Sequence, residues 1–170
     1  MTERTIYIDW DGPYSLEELE ELEDPRLDYG LYQIYGAHPL YGEEVLLYLG
    51  VTGGGRTFGS RIAEEQGYWE AEEDFEPLAV YVGRLMGLVT PAEAAWEDEM
   101  EVAHRLLVFA HAPVFNDRQV AAVPEDDLKN VQVINWGEYL DLAPEVSGRR
   151  FLYKFPDTPE FSYYVKQSGH

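Results

Sequence analysis

Residues 30–51 read GLYQIYGAHPLYGEEVLLYLGV and contain the clearest strand pattern in the chain. Two runs within it, 30–35 and 45–51, are rich in the apolar and aromatic residues that are typical of β-strands. The segment between them, 36–44, contains glycine and proline, which are typical of a loop. The stretch therefore predicts an antiparallel hairpin.

The chain that follows the hairpin alternates helix and strand. A flexible glycine turn at 53–55 leads to a helix predicted over 57–66, and 77–82 is predicted to be a third strand. A threonine followed by proline at 90–91 predicts the start of a second helix, which should run to about residue 110. Apolar residues at helical spacing predict its buried stripe: Trp96, Met100, Ala103, Leu107 and Ala110.

The N-terminal residues predict a strand followed by a helix. Alternation over 6–9 is typical of a short strand, and Asp11-Gly12-Pro13 is a turn signal that should end it. Ser15-Leu16-Glu17-Glu18 has the pattern of a capping box, with the serine side chain and the second glutamate satisfying backbone N–H groups at a helix start. It predicts a short acidic helix that ends near Pro25.

Beyond residue 117 the chain is predicted to form a C-terminal extension, 118–170, with strands at 131–134 and 151–153. The sequence has no internal repeat and no linker, and 170 residues suit one domain with a sizeable core. The predicted fold class is therefore a mixed α/β single domain over residues 1–170. A central, mostly antiparallel sheet is flanked by helices and carries extra N- and C-terminal strands.

Composition limits the classes of function. Hydrophobic residues make up 45% and aromatic residues 14%, which is typical of a globular protein. No apolar run approaches 18 residues, so no membrane span is predicted, and the N-terminus lacks a signal-peptide pattern, so a cytoplasmic protein is expected. The absence of cysteine excludes disulfides and thiolate chemistry.

The net charge of −21 conflicts with the usual composition of nucleic-acid-binding proteins, which are basic. One explanation is a cell with a salty interior, in which surface charges are screened over about 3 Å at 1 M salt. The other is a protein that does not approach DNA unaided. Composition alone leaves both explanations open.

Four short motifs are similar to those of one nuclease family. Gly30-Leu31-Tyr32 and Tyr48-Leu49-Gly50 resemble the two tripeptides that name the GIY-YIG family, whose members place them on adjacent strands of a small sheet. Phe58-Gly59-Ser60-Arg61-Ile62 resembles the family's arginine at the next helix start. Leu107-Val108, followed by Pro113-Val114-Phe115-Asn116, resembles its apolar pair and Pro-x-x-Asn ending. The motifs occur in family order over 30–116 and define a GIY-YIG-like core of about 28–117.

The resemblance implies a divalent-metal-dependent endonuclease that hydrolyses phosphodiester bonds of DNA. Tyr32 or Tyr48 would orient or deprotonate the attacking water, and Arg61 would hold the phosphate with its planar fork of donors. Asn116 would steady the site or the backbone around it. A single Mg²⁺ or Mn²⁺ ion, normally held by a helix glutamate, would act as a Lewis acid.

Two positions depart from the family pattern. His104 stands where the metal-binding glutamate is expected, and Glu65 stands where many members carry a histidine one turn after the arginine. The two residues could have exchanged roles, with Glu65 and His104 as metal ligands and His104 moving a proton. The site could instead have lost activity, or another carboxylate could serve, although Glu97, two helical turns from His104, would be a poor substitute. Outside the motif, His104 reads as a histidine satisfied by a nearby carboxylate.

Three hypotheses for function follow from these residues. The first is a metal-dependent endonuclease whose catalytic residues Tyr32, Tyr48, Arg61, His104 and Asn116 converge on one concave surface. The alternative is a weakened or inactive relative that binds nucleic acid or a protein partner. A third is an acidic DNA mimic that engages a basic partner. The retained motif residues favour the first, whereas the charge and His104 favour the others.

Overall fold

The computed structural model describes residues 4–70, 78–87, 93–116 and 126–149. These residues form strands, three α-helices and one 3-10 helix. The strands are β1 (Arg4–Tyr14), β2 (Leu31–His38), β3 (Gly42–Val51), β4 (Ala79–Met86), β5 (Val131–Gly137) and β6 (Glu145–Ser147). The helices are α1 (Leu16–Leu19), α2 (Phe58–Glu70), α3 (Glu93–His111) and the 3-10 helix Asp126–Asn130. The predicted helix start at 90–91 and the predicted strand at 151–153 lie outside the described residues.

The strands form one mixed sheet in the order β3-β2-β4-β1-β5-β6. Every pairing between neighbours is antiparallel except the parallel pairing of β1 with β5. The mixed α/β class and the mostly antiparallel sheet are therefore confirmed, and the hairpin of β2 and β3 is present. The N-terminal strand was predicted as an extra strand added to the sheet. Instead, β1 lies inside the sheet, between β4 and β5.

The predicted turn at Asp11-Gly12-Pro13 is wrong. β1 continues to Tyr14 and remains paired with β4, but the register shifts between Asp11 and Tyr14. Proline has no N–H to donate to a ladder, so within a sheet it is placed at an edge or a bulge. The glycine–proline signal marks an irregularity inside the strand rather than its end.

The capping box is confirmed, because the Ser15 side chain accepts from Glu18 N–H and the Glu18 carboxylate accepts from Ser15 N–H. The helix that it opens is shorter than predicted, since α1 ends at Leu19. α2 begins near the predicted position but extends to Glu70, and α3 ends at His111, close to the predicted end. Within the described ranges, no helix has both the length and the apolar character that a membrane span requires.

The two faces of the sheet carry separate apolar cores. Side chains alternate along β2, so that Leu31 belongs to the core under α3 and Tyr32 to the core under α1 and α2. Most of the predicted stripe of α3 faces the first core, where Met100, Ala103 and Leu107 are buried and Ala110 is half-buried. Trp96 is also buried, and its ring packs edge to face with that of Tyr29. The motif tyrosines consequently lie on the α2 face of the sheet.

Candidate functional site

The glycines of both tripeptides are required by close packing. Tyr32 pairs with Gly50 across β2 and β3, and any Cβ atom on Gly50 would overlap the Tyr32 ring. Gly30 has a φ of +149° and its backbone lies against the Gly83 carbonyl of β4, so a side chain there would also overlap. Gly50 therefore fixes the position of the Tyr32 ring, which lies across it.

Tyr32, Tyr48, Arg61 and Glu65 meet on the α2 face, and we call this set the tyrosine–arginine cluster. The Tyr32 hydroxyl donates to Glu65 Oε2 at 2.9 Å. Arg61 binds the other oxygen of the same carboxylate at 2.7 Å. The Tyr32 and Tyr48 rings lie 6.0 Å apart between centroids. Residues from two neighbouring strands and the following helix thus come together at one hydrogen-bonded network.

The two tyrosines are poor bases in this setting. Burial, followed by the negative charge of Glu65, raises the pKa of Tyr32 well above its ordinary value of 10.0. The same two causes raise the pKa of Tyr48. Both hydroxyls therefore stay protonated near neutral pH. Of the two roles predicted for them, this favours orienting water over deprotonating it.

The charge of Arg61 is compensated by two carboxylates of its own helix. Glu65 lies four residues on, and Glu64, three residues on, binds the other terminal nitrogen at 3.2 Å. This is the ordinary ion-pair arrangement of a helix surface. Glu64 also binds Arg56 at 2.9 Å, so one carboxylate bridges two guanidinium groups. A phosphate that approaches Arg61 therefore competes with these two carboxylates for the guanidinium group.

Asn116 and His104 both bind the backbone of Leu49, the residue between Tyr48 and Gly50. The Asn116 side chain accepts from Leu49 N–H at 2.9 Å and donates to Leu49 C=O at 2.8 Å. His104 Nε2 lies 3.0 Å from the same carbonyl oxygen. We call these three contacts the Leu49 clamp. β3 lies at the edge of the sheet that the described residues form, so the clamp satisfies backbone groups that these strands leave unpaired.

The position of His104 corrects its predicted roles. A carbonyl oxygen only accepts, so Nε2 carries the proton, and Nδ1 is buried without a hydrogen-bond partner among the described residues. Neither nitrogen is open to a metal ion or to a substrate proton. The structure also gives His104 and Glu65 different partners, so the geometry does not support their exchange of roles. A carboxylate does not satisfy His104 either.

The buried His104 should make stability depend on pH. Burial lowers its pKa below the ordinary value of 6.5. At pH values between the lowered pKa of the folded protein and the ordinary pKa of 6.5, the unfolded chain binds more protons than the folded one. The contribution of neutral His104 to the free energy of unfolding is therefore complete above about pH 6.5 and is lost as the pH falls. A glutamine in its place keeps a nitrogen donor and does not titrate.

We expect wild type to lose more stability than His104→Gln between pH 7 and 5.5, by at most about 1 kcal/mol, a limit set by the ordinary pKa of 6.5. Urea denaturation at several pH values measures the difference. Burial also lowers the pKa of His111. Because His111 is present in both proteins, its effect on the pH dependence cancels in the comparison. Parallel pH profiles would show that His104 is not buried as a neutral group.

The predicted site residues are thus divided into two connected sets. Tyr32, Tyr48 and Arg61 share the tyrosine–arginine cluster, whereas His104 and Asn116 belong to the Leu49 clamp beside it. Tyr32, His104 and Asn116 are at most 3% exposed, so they do not line a concave surface as predicted. Arg56 was not among the predicted site residues. Its place directly after the glycine turn was the signal in the sequence.

A preformed metal centre does not fit this geometry. Among the described residues, no three His, Cys, Asp or Glu side chains are grouped to hold an ion. Glu65 is the carboxylate of the tyrosine–arginine cluster, and both of its oxygens have partners. Magnesium commonly keeps several waters and binds through one or two carboxylates together with substrate phosphates. Glu65 fits only such a shared site, completed by the substrate.

Comparisons of the chain with protein-family models, with curated proteins and with solved structures give no match, so the family resemblance remains a proposal.

Proposed function

We propose that this chain is a GIY-YIG-type endonuclease that hydrolyses DNA phosphodiester bonds, with the tyrosine–arginine cluster as its active site. One observation carries the proposal: the two motif tyrosines and the motif arginine, 29 residues apart from Tyr32 to Arg61, meet at one network through Glu65. Chance similarity of short tripeptides does not require such convergence.

Arg61 holds the scissile phosphate. Its side chain is 26% exposed and ends in the planar fork that matches two phosphate oxygens. The contact with Glu64, at 3.2 Å, is the longer of its two ion pairs and the more exposed. Exchange of Glu64 for a phosphate oxygen therefore costs less than loss of the Glu65 contact.

The Tyr48 hydroxyl positions the attacking water, and the Tyr32 hydroxyl holds Glu65 in place. Tyr48 is half-buried and lies beside the partly exposed Arg61, whereas Tyr32 is fully buried and is fixed by Glu65. In the net reaction the water oxygen joins phosphorus, one P–O bond breaks, and the departing oxygen takes up a proton. Mg²⁺ or Mn²⁺, bound by Glu65 and the DNA, would supply Lewis-acid stabilisation of the phosphoryl oxygens.

A second candidate is an inactive relative that binds nucleic acid or a protein partner. The observation that favours loss of activity is that Glu64 and Glu65 both pair with Arg61. These three side chains together therefore carry no net positive charge. A carboxylate beside the phosphate also repels it.

Two amide substitutions separate these candidates. Glu64→Gln removes a negative charge next to Arg61, so we expect it to raise affinity for duplex DNA about fivefold, corresponding to ~1 kcal/mol for a charge pair 4 Å apart in water. Glu65→Gln should abolish cleavage, because the proposed ion loses its protein ligand. Fluorescence anisotropy with labelled duplex and plasmid nicking with Mg²⁺ or Mn²⁺ measure both effects.

If both amide variants bind DNA more tightly and neither they nor the wild type cut it, the binding-module candidate replaces the nuclease. If Glu65→Gln cuts as fast as the wild type, Glu65 is not the metal-binding carboxylate. Glu101→Gln is a matched control, because Glu101 is an exposed carboxylate on α3 rather than on α2.

A further inference from the structure

A cavity of about 470 Å³ lies between the glycine turn and α3. Its volume falls within the range of about 300–1,000 Å³ that small-molecule sites occupy. The side chains that line it combine aromatic, thioether and charged groups: Arg26, Tyr29, Arg56, Trp96, Glu97 and Met100. None of these residues belongs to the cluster or to the Leu49 clamp.

The apolar wall of the cavity is held in place by the core. Tyr29 and Trp96 pack edge to face with ring centroids 6.4 Å apart, and both Trp96 and Met100 are buried residues of α3. The half-buried Tyr29 ring provides the kind of aromatic surface on which nucleobases stack. Thioether sulfur also packs favourably against aromatic groups.

Two arginines provide positive charge in the same cavity. The Arg26 side chain is 90% exposed, and its ion pair with Asp24 is long, at 3.8 Å. Arg56 uses Nε for Glu64, which leaves its terminal nitrogens for another acceptor. The backbone at Gly53 has no atom within 4 Å of where a Cβ would stand, so a ligand can approach the turn closely. An anionic group fits beside these arginines.

Arg56 connects the cavity to the tyrosine–arginine cluster. Glu64 binds Arg56 with one oxygen and Arg61 with the other, so the two guanidinium groups flank a single carboxylate. Two cations this close can contact neighbouring phosphates of one strand. We infer that the cavity binds one unpaired nucleotide of a DNA strand, next to the phosphate held by Arg61. This inference rests on the proposed function.

The carboxylate of Glu97 gives the cavity a base preference. A carboxylate repels phosphate, so the nucleotide binds with its phosphate at the arginines and its base towards Glu97. Glutamate accepts hydrogen bonds from the exocyclic amino group of cytosine, whereas thymine presents a carbonyl oxygen at the same position. Deoxycytidine monophosphate should therefore bind more tightly than thymidine monophosphate.

Calorimetric titration of the full chain with these two mononucleotides tests the inference, with deoxycytidine and inorganic phosphate as partial ligands. We expect saturable binding of deoxycytidine monophosphate and much weaker binding of either part alone. Arg56→Gln should weaken it about tenfold, as expected for loss of a charge-assisted hydrogen bond. Glu97→Gln should remove the preference over thymidine monophosphate. Arg105→Gln, which removes an arginine paired with Asp127 elsewhere, should change nothing.

A dinucleotide with two phosphates separates this inference from the nuclease proposal. The dinucleotide should bind more tightly than the mononucleotide. Arg61→Gln should remove this difference in affinity and leave mononucleotide binding unchanged. Absence of saturable mononucleotide binding, or equal binding by Arg56→Gln, overturns the cavity inference even if the protein cuts DNA. The mononucleotide could bind in a manner that depends on Arg56, while the dinucleotide binds no more tightly and the protein does not cut DNA. That result supports nucleotide binding in the cavity and overturns the nuclease proposal.

Discussion

Replacement of Arg61 by alanine is expected to lower the rate of DNA cleavage by about 10²–10³-fold, the loss typical of one preorganised group at a developing charge. Arg61 is the cation at the centre of the tyrosine–arginine cluster, 2.7 Å from Glu65. The fold should remain intact, because a partly exposed ion pair on a helix contributes about 0–1 kcal/mol. Plasmid nicking and circular dichroism of the two proteins, purified in parallel, measure both effects.

Arg105→Ala is the matched control for this experiment. Arg105 also pairs with a carboxylate at 2.9 Å, but Asp127 is its partner and α3 carries it. We expect the control to cut at the wild-type rate. If Arg61→Ala cuts as fast as the control, the activity comes from another site or from a contaminant, and the tyrosine–arginine cluster has no part in it.

Asn116→Ala should have the largest effect on stability. It removes the partner of Leu49 N–H and one of the two partners of Leu49 C=O in the buried Leu49 clamp. Each buried polar group left unsatisfied costs about 1–3 kcal/mol, so we expect a loss of about 2–4 kcal/mol. The midpoint of urea denaturation, with an unchanged slope, measures the loss.

Asn116→Asp provides a directional comparison. The carboxylate still accepts from Leu49 N–H but places a second acceptor against the Leu49 carbonyl, so it should destabilise the fold at least as much as alanine. A variant at this position that unfolds at the wild-type midpoint yet fails to cut DNA would contradict the clamp. Asn116 would then act on the reaction and not on the backbone of β3.

Local patterns allowed much of the sheet and the helices to be predicted. The hairpin, the capping box and the stripe of α3 depend on residues close in sequence, and all are present. The central position of β1 depends on its parallel pairing with β5, in which Arg4 meets Val131, and no local pattern records so distant a contact. Asp11-Gly12-Pro13 does not end β1, because glycine and proline occur at irregularities inside strands as well as at turns.

The candidate site was predictable only in part for a similar reason. Glu64 and Glu65 follow Arg61 by three and four residues, and this helical spacing alone accounts for their ion pairs. It could not show that Tyr32 would share Glu65, because that contact joins a strand to a helix 33 residues later. His104 was assigned a chemical role from its position in a motif, whereas its burial and its bond to Leu49 depend on how α3 meets β3.

A crystal structure with Mn²⁺ and a non-cleavable phosphorothioate oligonucleotide would show whether the tyrosine–arginine cluster binds the scissile phosphate. We expect a phosphate within hydrogen-bond distance of Arg61, with the Tyr48 hydroxyl beside it and anomalous signal from manganese at Glu65. Binding of the strand at another surface, with Arg61 still paired to both Glu64 and Glu65 and no manganese at Glu65, would contradict the claim.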